Sequence, residues 1–379
     1  MPVELRISKT DGIAPIEQKL AKLTSDLSQP GRRSLFAYIA SDRRATFFKD
    51  IWTSIALATG IDRSRDTEVI AWGLQDWAGL ADIDGFALSH PSLVAMQRGV
   101  QIFTDRNPRQ RLDATAVRRC ISMSGGLLGS EGARYRTVVE LDPELPRAAV
   151  LSGGLKARDT FFDFVRDALQ DVQISSQASG RRAVNPAKNA ILEWLFELHT
   201  NGYEHARRDE SARLLRIQKH PYPNRSKALE HAQQLAELSE YIESQDERPS
   251  NRMFNLVEAS VSDFGPGILD GFLSTYMGEA YCNKPRHEVL NRLLHDQLSC
   301  KSSDPNAGLG IGQALQAARS LDAFVSLRTG EFSLYMRGQL DDSPILKFRE
   351  GPFPSVVGTH WQLLLPDKTA RNDTRERRA

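Results

Sequence analysis

Three short stretches combine residue types able to handle a flat, phosphorylated ligand. In ILEWLFELHTNGYEHA, Glu197, Asn201 and His205 recur every four residues and form one row along a helix. That row borders an apolar stripe of Ile191, Leu195 and Leu198, the pattern of a pocket rim. An Asn amide oxygen is a good neutral ligand for Mg2+, and a carboxylate one turn earlier is placed to deprotonate a water for in-line phosphoryl transfer. In NLVEASVSDFGPGI, strand alternation puts Val257, Ala259, Val261 and Asp263 on one face. A carboxylate facing a core needs a hydrogen-bond donor, and the amino group of adenine is a suitable one. Gly265 and Gly267 then let the backbone turn sharply and approach a flat base. In SCKSSDPNAGLGIGQALQAARSL a glycine loop opens onto a helix, where backbone N–H groups and the positive helix end suit phosphate oxygens. No GxxxxGK[ST] is present, and no acidic ribose partner follows as in a dinucleotide fingerprint. Taken singly, each stretch also reads as an ordinary feature: a charged helix edge, an Asp-capped turn, a glycine cap.

Their order carries more information than any one of them. Glu-x-x-x-Asn, Asp-x-Gly-x-Gly, Gly-x-Gly-x-Gly and a Gly-Thr before a final apolar strand follow one another in a single chain. Together they resemble the N box and the three glycine boxes of the GHKL, or Bergerat-fold, ATPases: gyrase, the heat-shock chaperone, mismatch-repair ATPases and histidine kinases. The resemblance covers about residues 185–366 and implies a two-layer α/β sandwich, with a mixed, mostly antiparallel sheet, that binds ATP and Mg2+. It further implies that Asn201 holds the metal, that Asp263 and Thr359 face the adenine, and that Gly265, Gly267 and Ile268 shape the base pocket. Gly308, Leu309, Gly310 and Gly312 would close over the phosphates, with His205 beside them and Lys301 as a phosphate contact. The lid would run from Ile268 to Ala307. Two features depart from the family: Asn306 stands where the first glycine of the phosphate loop belongs, and an extra charged helix, Ser226 to Ser244, is expected as an exposed insertion.

Glu197 matches the catalytic Glu of the hydrolysing members, so the expectation is an ATPase whose turnover drives a conformational or dimerisation switch. ELHTNGYEHA is also similar to the pattern of anti-sigma-factor serine kinases, which leaves a histidine kinase-like or serine protein kinase as the alternative. A non-catalytic nucleotide-binding adapter is a third reading, motivated by Asn306. A self-phosphorylating histidine kinase fits poorly, because His90 lacks the acidic residue and proline that flank a phosphoacceptor.

Positioning this chemistry requires an α+β domain over 185–366, and 379 residues leave room for a second domain. Residues 1–150 read as mostly helical with some strand, with helices at Ile16 to Leu27, Ala45 to Thr59, Thr67 to Leu80 and Pro91 to Ile102, and an extended piece at Tyr135 to Leu141. A connecting helix and linker fill 151–184, and the charged tail Asp367 to Ala379 is expected to be disordered. Lys plus Arg number 49 and Asp plus Glu 48, so no global field draws the chain to nucleic acid or lipid. Arg106, Arg109, Arg111, Arg118 and Arg119 form a loosely basic segment without interleaved aromatics, which reads as a solvated face. Three scattered cysteines without CxxC spacing and no apolar run of membrane-spanning length predict a cytoplasmic chain. The expected partner is another protein or a second copy of the chain.

Overall fold

The computed structural model describes residues 2–8, 10–40, 47–72, 90–104, 109–113, 115, 127–128, 135–140, 161–162, 186–205, 213–232, 235–245, 253–295 and 309–367. The chain is a mixed α/β structure with two sheets, one parallel and one antiparallel. Among the described residues, no helix is long and apolar enough to cross a membrane.

The first sheet is built from β1 (Val3–Ile7), β2 (Ser34–Ala40), β3 (Asp66–Trp72) and β4 (Gln101–Thr104), in that order and all parallel. The intervening helices are α1 (Ile13–Leu27), α2 (Lys49–Arg63) and α3 (His90–Gln97). Parallel neighbours need a crossover, and right-handed crossovers in sequential order bring the helices to one face. The helices accordingly pack side by side, α2 between α1 and α3. α1 buries Ile13, Ile16, Leu20, Leu23 and Leu27, one helical stripe, whereas α2 is buried on every side from Ile51 to Gly60. One expectation is corrected: Thr67 lies in a strand, not at the start of a helix. β3 runs into Val69, Ile70 and Ala71, all buried, and a continuous apolar run has no period by which to tell strand from helix. The expected helix from Pro91 ends at Gln97, and Gly99, with φ +70°, turns the chain into β4.

The second sheet has eight strands: β5 (Leu127–Leu128), β6 (Tyr135–Glu140), β7 (Arg213–Tyr222), β8 (Phe254–Asp263), β9 (Phe324–Gly330), β10 (Phe332–Arg337), β11 (Lys347–Phe348) and β12 (Val356–Pro366). Their order is β11-β10-β9-β12-β8-β7-β6-β5. Every pairing is antiparallel, so the sheet is not mixed. β6 lies beside β7, and the sheet therefore takes in residues before 150. Its helices are α4 (Pro186–His205), α5 (Arg225–Ala232), α6 (Ala236–Ser244), α7 (Ile268–Leu273), α8 (Arg286–His295) and α9 (Leu309–Ser320), with a 3-10 turn at Tyr276–Tyr281.

Alternation gives this sheet two unlike faces. The front face carries Leu215, Ile217, Val257, Ala259, Leu327 and Leu363 and packs against α4 and α9 in one apolar core. The back face carries Arg216, Gln218, His220, Glu258, Ser260, Ser262, Arg328, His360 and Gln362, all buried. Polar alternate residues normally face water, and here α1, α2 and α6 cover them instead. Buried charges require partners. Arg216 pairs with Asp50 of α2, Arg328 with Glu17 of α1 at 3.1 Å, and Arg349 with Glu237 of α6. Glu258 accepts from the Phe48 N–H at 2.8 Å and lies 2.9 Å from His220 Nε2. Phe48 itself has φ +64°, a left-handed conformation that costs a bulky residue on the order of 1–3 kcal/mol. Its stacking on Phe324 and the Glu258 contact hold it there.

The charged helix expected over Ser226 to Ser244 is two helices, α5 and α6, and it is not an exposed insertion. Ala228, Ala232, Leu238, Tyr241 and Ile242 join the back-face core, and the Tyr241 hydroxyl donates to the Asp322 carbonyl at 2.9 Å. Asp367, expected as the first residue of the tail, belongs to the folded structure. Asp367 is buried, its carboxylate 2.7 Å from Lys219 Nζ and its N–H on the Asn255 carbonyl. The rest of the tail, 368–379, lies outside the described residues.

Candidate functional site

Asp263 closes the apolar row of β8, and register places Arg213 of β7 on one side of it and Thr359 of β12 on the other. Only 8% of its surface is exposed. Burial pushes its carboxyl up to about 6, against the opposing effects of the Gly265 N–H (3.1 Å), the Thr359 side chain and the Arg213 charge. Two tight backbone approaches frame it. Gly267 has φ +85°, and a Cβ there would stand 2.9 Å from the Thr329 hydroxyl and 3.2 Å from the Gly358 carbonyl. Gly358 also has φ +85°, and its Cβ would meet the Asp263 carbonyl at 2.0 Å. The register shift between β12 and β9 across Val356 and Thr359 lets these loops cross so closely. The Ile268 N–H donates to Thr329 Oγ1 at 3.2 Å and fixes the start of α7.

Opposite the carboxylate, α4 presents Gly202, whose hypothetical Cβ would lie 3.9 Å from Asp263 Oδ2. The neighbouring Asn201 and, one turn earlier, Glu197 carry the polar row. Asn201 Nδ2 donates to the Glu197 carbonyl at 2.8 Å, so its Oδ1 is the atom it can offer to a cation. The first turn of α9 lies directly on this row: a Cβ at Gly310 would stand 2.8 Å from Asn201 Nδ2 and 3.0 Å from Glu197 Oε2. The N-terminal N–H groups of α9 and its positive helix end are thereby brought to the Glu197–Asn201 edge. Among the described residues no group of three or more His, Cys, Asp or Glu could hold a metal. A divalent ion at Asn201 would take its other oxygens from a ligand and from water, a coordination that suits Mg2+.

Of the residues singled out from sequence, Glu197, Asn201, Asp263, Gly265, Gly267, Ile268, Gly310 and Thr359 come together around one crevice. Gly312 lies further along α9, where an added Cβ would meet nothing within 4 Å, so no close approach requires glycine there. Lys301 and Gly308, and the side chains of His205 and Leu309, lie outside the described residues. Of the lid, 268–295 is described as α7, the 3-10 turn and α8. In the basic segment, Arg109 is paired with Glu68. Gly202 and Thr329 were not singled out, and Gly358 entered only as the Gly of the Gly-Thr before the last strand. Gly202 is signalled by its place after Asn201, while Thr329 matters only through strand crossing.

Two histidines, His199 of α4 and His360 of β12, are held neutral by burial, His199 lowered to about 4 and His360 to about 3. Unfolded, each takes a proton near 6.5, so the stability tied to their neutral forms is present above that pH and is lost as pH falls below it. Asp263 acts in the opposite sense: its ionisation opposes folding above about 6, and this cost is relieved on acidification toward 4. The two histidines outweigh the one carboxylate, so their combined contribution to stability falls as pH drops between about 6 and about 4. The urea midpoint is therefore expected to fall between about pH 6.5 and about pH 5, and to fall less steeply over the same interval in a His199→Gln/His360→Gln double variant. A wild-type midpoint that stays level or climbs on acidification would refute this assignment.

No family model matches the chain, and no curated protein matches it.

Proposed function

We propose that the crevice binds Mg-ATP and hydrolyses it, and that the antiparallel sheet with α4 and α9 on its front face is a Bergerat-type sandwich. The observation that carries this reading is Asp263: a buried carboxylate at the end of an apolar strand row, facing Gly202 and framed by the glycine loops. In this reading Asp263 accepts from the adenine amino group, with Thr359 holding the carboxylate in place. Gly265 and Gly267 admit the base, and Gly202 keeps a side chain of α4 from packing onto the carboxylate. Asn201 would hold Mg2+, which would supply neutralisation of phosphate charge. The α9 N-terminus receives the phosphates beside Asn201. Glu197 accepts a proton from the attacking water, whose oxygen bonds to the terminal phosphorus as the bond from that phosphorus to the bridging oxygen breaks and ADP leaves with its electron pair.

Calorimetric titration of the full chain with ATP, with and without Mg2+, tests the binding step. Asp263→Asn removes the charge but keeps the shape, and a hydrogen bond to a charged group is worth about 1.5–3 kcal/mol. ATP affinity is expected to drop roughly 10- to 100-fold on that basis. An Asp263→Asn chain that binds ATP as tightly as the wild type would remove the basis of the reading.

A further inference from the structure

The N-terminal α/β unit does not merely cover the back face of the large sheet; it holds both loops that frame Asp263. Arg98 caps α3, its N–H bonded to the Val94 carbonyl and the chain beyond it turned by Gly99. Its guanidinium forks onto Asp62 of α2, Nε to Oδ1 at 2.7 Å and Nη2 to Oδ2 at 3.2 Å. The same Nη2 donates to the Phe264 carbonyl at 3.3 Å, and the guanidinium carbon lies 5.9 Å from the Phe264 ring centroid. Phe264 is the residue after Asp263. Its buried ring packs at 4.9 Å on His360, the residue after Thr359.

The last turn of α2 grips the second loop. Arg63 Nη2 donates to the Ser355 carbonyl at 3.0 Å, and the Val357 N–H donates to Thr59 Oγ1 at 3.3 Å. His360 Nε2 lies 2.7 Å from the Val357 carbonyl, which ties this contact back to the Phe264 ring. A third link runs through β9, where Arg328 pairs with Glu17 of α1 behind the sheet while its neighbour Thr329 touches Gly267 and Ile268 in front. Each loop around Asp263 is thus anchored to a helix or turn of the parallel unit.

We propose that the N-terminal α/β unit is a built-in regulator of the base pocket, with Arg98 as the positioning residue that sets the Asp263–Gly267 loop. The inference rests on the nucleotide reading given above. Sites joined through shared contacts are coupled reciprocally: what the unit does to nucleotide affinity, nucleotide must do to the unit's own stability. Whatever shifts α2 or α3 against the large sheet changes ATP affinity, and bound ATP tightens α2 onto Val357.

Two measurements on the full chain test this. ATP affinity by calorimetry is expected to fall about tenfold in Arg98→Ala and to recover largely in Arg98→Lys, which keeps the cation beside Asp62 and Phe264. In the wild type, amide hydrogen exchange is expected to slow on adding Mg-ATP at Val357 and through the last turn of α2, positions that a purely structural Arg98 would leave unchanged. Wild-type affinity retained in Arg98→Ala, or α2 exchange indifferent to ATP, overturns the inference while leaving the nucleotide reading intact. Absence of ATP binding by the wild type overturns both. If Arg98→Ala does not fold, the exchange measurement on the wild type alone decides.

Discussion

Replacing Glu197 with Gln is expected to lower ATP hydrolysis by roughly 10²- to 10⁴-fold, the usual contribution of a positioned general base, while ATP still binds. Gln preserves length and shape, so the close approach of Gly310 to the Glu197 side chain survives the exchange. The Asn201 side-chain N–H bonds to the main-chain carbonyl of residue 197, which the substitution does not touch. What changes is the ability of this position to take a proton from water. Loss of phosphate release with retained binding therefore separates the base from the binding groups. A Glu197→Gln chain that turns over at the wild-type rate would assign proton transfer elsewhere, and loss of binding together with turnover would make residue 197 a ligand contact instead.

The second large effect is on folding. Gly358→Ala places a Cβ 2.0 Å from the Asp263 carbonyl and 2.8 Å from the Phe264 Cα, at a φ of +85°. Both obstacles are backbone atoms at the end of β8, where it pairs with β12, so neither can swing aside as a side chain would. The expected cost is at least about 3 kcal/mol, from strain and displaced pairing together. Gly312→Ala supplies the contrast. It lies within α9 with open space around it, and replacing a helical glycine by alanine there is expected to raise stability by roughly 0.5–1 kcal/mol. Urea unfolding of the two variants checks the pair, and a Gly358→Ala chain as stable as the wild type would contradict the crossing of the two loops.

The crevice was legible from sequence because its signals are local. Four-residue spacing placed Glu197 and Asn201 on one helix edge, and two-residue alternation ended an apolar row at Asp263; both patterns survive in α4 and β8. The back of the sheet was not legible for the same reason. Glu258, Ser260 and Ser262 alternate with apolar residues as a solvent-facing row would, and the charges of this face find their partners far away in sequence: Glu258 on the Phe48 N–H, Arg216 on Asp50 and Arg328 on Glu17. α5 and α6 look like a charged surface element because they bury small or few residues, Ala228 and Ala232 among them. In the N-terminal unit, β1 is five residues long with strict alternation, a signal that was available, whereas β3 offers none. Gly358 was legible as part of the Gly-Thr before the last strand but not as a crossing point, and Thr329 acquires meaning only where strands far apart in sequence meet.

The fate of the γ-phosphoryl group is the most direct test of ATP hydrolysis in this crevice. With the purified full chain, Mg2+ and γ-labelled ATP below saturation, label is expected to appear as free phosphate, to require Mg2+, and to be released roughly 10- to 100-fold more slowly in Asp263→Asn. Label transferred to protein, or phosphate release that persists unchanged in Asp263→Asn, would contradict it.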